Sequence, residues 1–182
     1  MALYNDSGLT FDLPDGQHFQ FAQLAAYKRL SGQHLKEMDF AWVAQGKLYM
    51  LEVRSYAQVG STLAGADLVA MSGDAKPYRF EALIDKLTDS LMMLLAAWAD
   101  TAVGQSIKAG LRVAARSRLP LKLVIALDLP AALTVHLPVL RDSLNERMRG
   151  RMALADVRSV TLIDYPRLLA NPIFSAFIKA EV

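Results

Sequence analysis

Two runs of strand-forming residues joined at a glycine turn most constrain how this chain folds. Met38-Asp39-Phe40-Ala41-Trp42-Val43 passes through Ala44-Gln45-Gly46 into Lys47-Leu48-Tyr49-Met50-Leu51-Glu52-Val53-Arg54. Aromatic and aliphatic residues dominate both runs, and Gly46 permits a tight turn, so the segment predicts a β-hairpin. The exceptions to its apolar character are charges at one end. Asp39 opens the first strand, and Glu52 and Arg54 close the second. Glu52 and Arg54 are two residues apart and therefore share a face. Strand pairing can bring Asp39 beside them. Charges at such a place are costly to bury unless they are paired, hydrogen-bonded or bound to a metal.

Around the hairpin, helical and extended patterns alternate. Residues 1–15 predict one edge strand through Leu9-Thr10-Phe11-Asp12-Leu13, closed by Pro14-Asp15-Gly16. Residues 17–30 predict a helix carrying Phe21, Leu24, Ala25 and Tyr27, stopped near Ser31-Gly32. Residues 56–78 contain Gly60, Gly65, Gly73 and Pro77 and predict a long loop. Residues 79–103 predict the longest helix. Phe80, Leu83, Ile84, Leu87, Leu91, Leu94, Leu95 and Trp98 recur at helical spacing, with Glu81, Asp85, Lys86 and Asp89 on the polar side. Lys108, Arg112, Arg116 and Arg118 follow at near-helical spacing and end at Pro120.

Residues 121–127 are short, almost wholly apolar and branched, which predicts a buried strand. Residues 138–153 predict a helix with Leu140, Leu144, Met148 and Met152 on one face, and residues 159–164 a last strand. Asn171-Pro172 resembles a cap followed by Pro at the first helical position, opening a terminal helix through Phe174, Phe177 and Ile178. The expected product is a single α/β domain over residues 1–182. It has three layers and a mixed central sheet of four to five strands flanked by helices.

Composition excludes several classes. The chain has 182 residues, 53% of them hydrophobic and 21% charged, which suits a folded domain rather than a disordered one. It has no cysteine, so disulfides and thiolate zinc sites are impossible. The N-terminus carries no basic segment followed by an apolar run, and the expected location is cytoplasmic. The apolar run Leu91–Ala99 is far shorter than the roughly 20 residues a spanning helix needs, so no membrane is expected. His18, His34 and His136 share no metal-ligand spacing and read as surface or hydrogen-bonded histidines. The glycines of residues 56–78 do not make a phosphate loop, because no Gly-Lys-Ser/Thr follows them. Residues 1–104 hold 8 Lys+Arg against 12 Asp+Glu, and residues 105–182 hold 12 against 6. That basic second half permits a polyanionic partner.

Two adjoining carboxylates repel, and a divalent cation relieves the repulsion. Hard cations suit oxygen ligands. A bound metal can then activate water or polarise a phosphoryl oxygen. On Asp39, the Glu52-Val53-Arg54 strand end, a preceding helix and a following helix and strand, the chain resembles the PD-(D/E)xK superfamily over about residues 17–128. Restriction endonucleases and Holliday-junction resolvases have this fold. The resemblance implies a restriction endonuclease-like domain hydrolysing DNA phosphodiester bonds with Mg²⁺ or Mn²⁺. Asp39, Glu52 and the Val53 backbone carbonyl would hold the ion, and Arg54 would stabilise the phosphate. Arg54 stands where the family has lysine, and an arginine cannot serve as a base. An Arg54→Lys change is accordingly expected to raise cleavage. Gln20 or Gln23 stands in for the acid often found on the first helix.

Other readings of the same residues stay open. Asp39, Glu52 and Arg54 also suit a structural ion-pair cluster at a sheet edge, and the fold also suits a non-catalytic module that binds nucleic acid or a protein partner. A homodimer is a further possibility. Arg112, Arg116, Arg118, Arg147, Arg149 and Arg151, together with Arg141, are candidate phosphate contacts. Asp142, Glu146 and Asp156 can instead pair with them. Glu37 reads as a solvated charge at the start of a strand.

Overall fold

A computed structural model of the chain describes residues 2–30, 32, 34–57 and 78–181. The expected hairpin forms from β4 (Phe40–Ala44) and β5 (Lys47–Ser55). They pair antiparallel, with Phe40 opposite Leu51 and Ala44 opposite Lys47. Gln45 and Gly46 both adopt positive φ, 50° and 69°, the turn whose twist matches that of paired strands.

The hairpin is the centre of a five-stranded mixed sheet ordered β3-β4-β5-β6-β7, in which β3 is His18–Phe19. β6 (Leu121–Asp128) lies parallel to β5, and β7 (Val160–Asp164) lies parallel to β6. Parallel neighbours need a crossover. The crossover between β5 and β6 contains α2 (Tyr78–Trp98) and α3 (Ala102–Gly110). The one between β6 and β7 contains α4 (Leu137–Leu154), entered through a 3₁₀ segment at residues 131–136.

Side chains alternate between the two faces of β5. Leu48 and Met50 join a core under the helices with Leu83, Ile84, Leu87, Leu91 and Leu94 of α2 and Leu140, Leu144, Met148 and Met152 of α4. Tyr49, Leu51 and Val53 join the opposite core with Phe40 and Trp42. That second core is closed by Leu9, Phe11 and Leu13 and by Tyr165, Leu168, Phe174 and Ile178. Burying one such side chain contributes about 1.5–3 kcal/mol. The two-faced apolar pattern of the strands is therefore what holds three layers together.

Several elements differ from their expected form. Residues 1–15 make two strands, β1 (Ala2–Asp6) and β2 (Leu9–Leu13), paired antiparallel. Ser7 and Gly8 turn between them with positive φ. β2 also pairs with β8 (Ile178–Ala180), so the chain end expected as helix is a strand beyond Phe177. The short α5 (Tyr165–Ala170) and α6 (Pro172–Ser175) sit beside this small sheet. One outer layer is thus a three-stranded sheet with two short helices rather than helices alone.

Residues 17–30 do not form one helix. They form β3 (His18–Phe19), a 3₁₀ turn at residues 21–23 and α1 (Ala25–Leu30). β3 pairs with β4, and that edge pairing overrides the helical spacing. The long helix ends at Trp98, where Asp100 takes positive φ and Thr101 Oγ1 accepts from the Gly104 N–H at 3.0 Å to start α3. A Cβ on Gly104 would meet the Ala96 carbonyl oxygen at 1.9 Å, so the close approach of the two helices requires glycine there. The loop expected over residues 56–78 lies almost wholly outside the described residues. Among the described residues, no helix is long and apolar enough to cross a membrane.

Candidate functional site

Glu52 stands on the helix-side face of β5, because it is two residues beyond Met50. It is 1% exposed, the most enclosed carboxylate of the site. The β4–β5 register, continued by one residue, sets Asp39 opposite Glu52. Asp39 Oδ2 accepts from the Val53 N–H at 2.9 Å, which locks the carboxylate to the neighbouring strand. N–H and C=O of one strand residue face the same neighbour, so the Val53 carbonyl is directed to the Asp39 side as well.

The cation that joins these groups is one the spacing of charges on the hairpin did not reveal. Lys86, on the third turn of α2, reaches Asp39 Oδ1 at 3.1 Å and both Glu52 oxygens at 2.8 and 2.9 Å. Arg54 Nε lies 2.7 Å from Glu52 Oε1. The cluster thus contains two carboxylates, one ammonium shared between them, and one guanidinium at the rim. The lysine of the cluster thus comes from the helix and not from the hairpin.

The polar stripe of α2 fixes this geometry. The Lys36 N–H donates to Asp89 Oδ2 at 2.9 Å, and the buried Met38 N–H donates to Ser90 Oγ at 2.8 Å. Lys36 Nζ pairs with Asp85 at 2.7 Å. Asp85, Lys86, Asp89 and Ser90 therefore dock onto the chain that leads into Asp39. The hint in the sequence was four polar residues in consecutive turns of a helix that must pack on a sheet. Periodicity placed Asp85, Lys86 and Asp89 on the polar side of the helix and did not single out Ser90.

Burial pushes the Glu52 carboxyl up, to about 8, and the Asp39 charge adds to the rise. Lys86 and Arg54 oppose it. The site opens into a pocket of about 270 Å³ lined by Glu52, Arg54, Tyr56, Arg79, Ala82, Leu83 and Lys86.

The donor set of Asp39, Glu52 and the Val53 carbonyl is made of hard oxygens and suits Mg²⁺ or Mn²⁺ in kind. Three of the carboxylate oxygens already converge on one positive centre, so the carboxylates are arranged to receive a cation. Lys86 occupies that centre, and a metal would have to take its place. Among the described residues, no group of three or more His, Asp or Glu side chains gathers as a metal site.

Gln20 and Gln23 bond each other through their side chains and make no described hydrogen bond to the cluster. His18 is buried. Its ring lies 2.8 Å from the Pro14 carbonyl through Nδ1 and 2.9 Å from the Tyr4 hydroxyl through Nε2, which satisfies both nitrogens. Glu37 accepts a hydrogen bond from the Tyr27 hydroxyl rather than standing free in solvent.

The arginines expected to contact phosphate have protein partners. Arg112 Nε donates to the His18 carbonyl, and Arg116 donates to the Leu111 and Ala109 carbonyls. Arg118 pairs with Asp156, Arg147 with Glu81, Arg149 with Glu146 and Arg141 with Asp142, while Arg151 donates to the Arg147 carbonyl. Residues 112–118 precede β6, whose first residue Leu121 stands opposite Leu48. They lie toward the edge where β5 begins, and Arg54 is about 20 Å away along that strand. Sought by its sequence and by its fold, no family model, curated protein or solved structure matches the chain.

Proposed function

We propose that this chain is a restriction endonuclease-like domain that hydrolyses DNA phosphodiester bonds with Mg²⁺ or Mn²⁺. The observation that carries the reading is the convergence of Asp39 and both Glu52 oxygens on a single cationic point at the mouth of a pocket. The mixed sheet, with a carboxylate at the start of one strand and a second carboxylate at the end of the next, supports it. In this reading Asp39, Glu52 and the Val53 carbonyl hold the divalent ion, which supplies activation of the attacking water. Lys86 neutralises the carboxylate pair when the ion is absent. Lys86, which also lines the pocket, would donate from its ammonium to the water or to a phosphate oxygen. Arg54, held at the rim by Glu52, donates to a phosphate oxygen and stabilises developing charge.

Calorimetry with Mn²⁺ tests the site. The wild-type chain is expected to bind one ion and Asp39→Ala none, and equal binding by both would remove the reading. Cleavage of plasmid DNA in Mn²⁺ is expected to fall by at least ~100-fold in Lys86→Met, the loss typical of a general acid or base. Arg54→Lys, expected from the sequence to raise cleavage, changes the rate little in this reading, because Lys86 takes the lysine role.

The alternative, a non-catalytic module on the same fold that binds nucleic acid or a protein partner, is favoured by one observation. Lys86 already neutralises both carboxylates without a metal. Mn²⁺ that binds only to Lys86→Met, with no cleavage by either protein, is the result expected for that module.

A further inference from the structure

Among the described residues, the pocket beside the carboxylates holds one more cation than the ion pairs use. Arg54 faces Glu52, and Lys86 faces Glu52 and Asp39. Arg79, one residue into α2, has no carboxylate partner among the described residues. Its guanidinium lies instead over the Tyr56 ring, 5.0 Å from the centroid. Tyr56 is itself buried at the end of β5, and both residues line the pocket together with Arg54 and Lys86. Stacking on the buried ring and a side-chain hydrogen bond to Tyr56 together orient the guanidinium, which carries further N–H donors. Arg79 therefore lines the cavity from a position set by Tyr56, together with the half-exposed Arg54. The cavity volume of about 270 Å³ accommodates a phosphate group with room to spare.

We propose that Arg79, set by Tyr56, and Arg54 form an anion subsite that grips a phosphate of a nucleic-acid backbone beside the Asp39–Glu52–Lys86 cluster. The ligand class rests on the phosphodiester reading above, whereas the subsite itself needs no metal. Arg79 is a positioning residue in this scheme: it sets where the phosphate sits and takes no part in proton transfer. Planar bidentate recognition of a phosphate is what an arginine fork provides and a lysine does not.

The test uses the full chain in chelator at constant ionic strength. Inorganic phosphate and a short single-stranded oligothymidylate are titrated separately, by fluorescence or by calorimetry. Both probes are expected to bind the wild type, and Arg79→Gln is expected to weaken both by at least about tenfold, one charge-assisted contact. Arg79→Lys should fall between them, and Arg158→Gln, an exposed arginine outside the pocket, should match the wild type. In the wild-type protein the Arg79 Nε–H resonance should shift on adding phosphate, a readout that holds even if a variant folds poorly. No phosphate binding, an unmoved Arg79 signal, or equal affinity in a folded Arg79→Gln would overturn the subsite. Loss for phosphate with unchanged oligothymidylate affinity would overturn its assignment to a nucleic-acid backbone. Mn²⁺ calorimetry on the same samples reports the carboxylates independently, so a failed subsite and a failed nuclease reading give different results.

Discussion

At the scale of single residues, Glu52 sets the terms. Among the described residues, two cations touch the 1% exposed Glu52 carboxylate and stabilise its charged form. Its ordinary value of 4.5 rises to about 8. In that window the folded chain holds a proton that the unfolded chain has released. Stability is therefore expected to fall as pH rises through the window, by up to about 1.4 kcal/mol per unit. Urea unfolding in chelator at both ends of the window measures the slope, and Glu52→Gln should flatten it. An equal slope in the variant would mean that another group titrates.

Lys86 is the reciprocal case. Lys86→Met leaves Asp39 and Glu52 facing each other with Arg54, on Glu52, in place of the shared ammonium, and breaking such a pair costs about 3–5 kcal/mol. The double variant Lys86→Met/Glu52→Gln should be less destabilised than Lys86→Met alone, which a double-mutant cycle checks.

At the scale of elements, α2 is both a core helix and the scaffold of the site. One stripe, including Leu83, Leu87, Leu91 and Leu94, is buried against the sheet. A second stripe of Asp85, Lys86, Asp89 and Ser90 hydrogen-bonds the segment leading into β4. Ser90→Ala removes the acceptor for the buried Met38 N–H, and an unsatisfied buried donor costs about 1–3 kcal/mol. The loss should appear in denaturant midpoints and, because Met38 precedes Asp39, as weaker Mn²⁺ binding. Unchanged metal affinity in a destabilised Ser90→Ala would show that the stripe supports the fold alone. The hairpin and β6 were legible in the sequence because their apolar residues lie close together in the chain. The breaks within residues 17–30 and after Trp98 were not, since the first depends on pairing with β4 and the second on the contact of Gly104 with Ala96.

At the scale of the whole molecule, the central sheet separates two cores and presents its functional charges where β5 ends. Crevices beyond the carboxyl ends of parallel strands are where α/β sheets bind ligands. The basic residues of the second half, by contrast, are mostly tied to protein partners, and residues 112–118 lie toward the other edge of β5. Under the proposed function, DNA binding is expected to lose affinity with salt. The slope should be set more by Arg54 and Arg79 than by Arg116 and Arg118. Electrophoretic shifts of Arg54→Gln/Arg79→Gln against Arg116→Gln/Arg118→Gln at two salt concentrations measure this. A larger loss in the second pair would move the nucleic-acid surface to the far edge.

The amino-acid sequence by itself determined the hairpin, the parallel strands, the long amphipathic helix and the two carboxylates that the hairpin brings alongside each other. These follow from local periodicity and from pairing across a two-residue turn. Only the tertiary structure decided which cation those carboxylates share. Lys86 is 34 residues from Glu52 along the chain, and its place depends on how α2 docks across the sheet. The strand assignment of the C-terminus was decided in the same way, by pairing with β2 at the other end of the chain. Local patterns record which face of an element is apolar, whereas the partner of a buried charge is chosen by packing between elements distant in sequence.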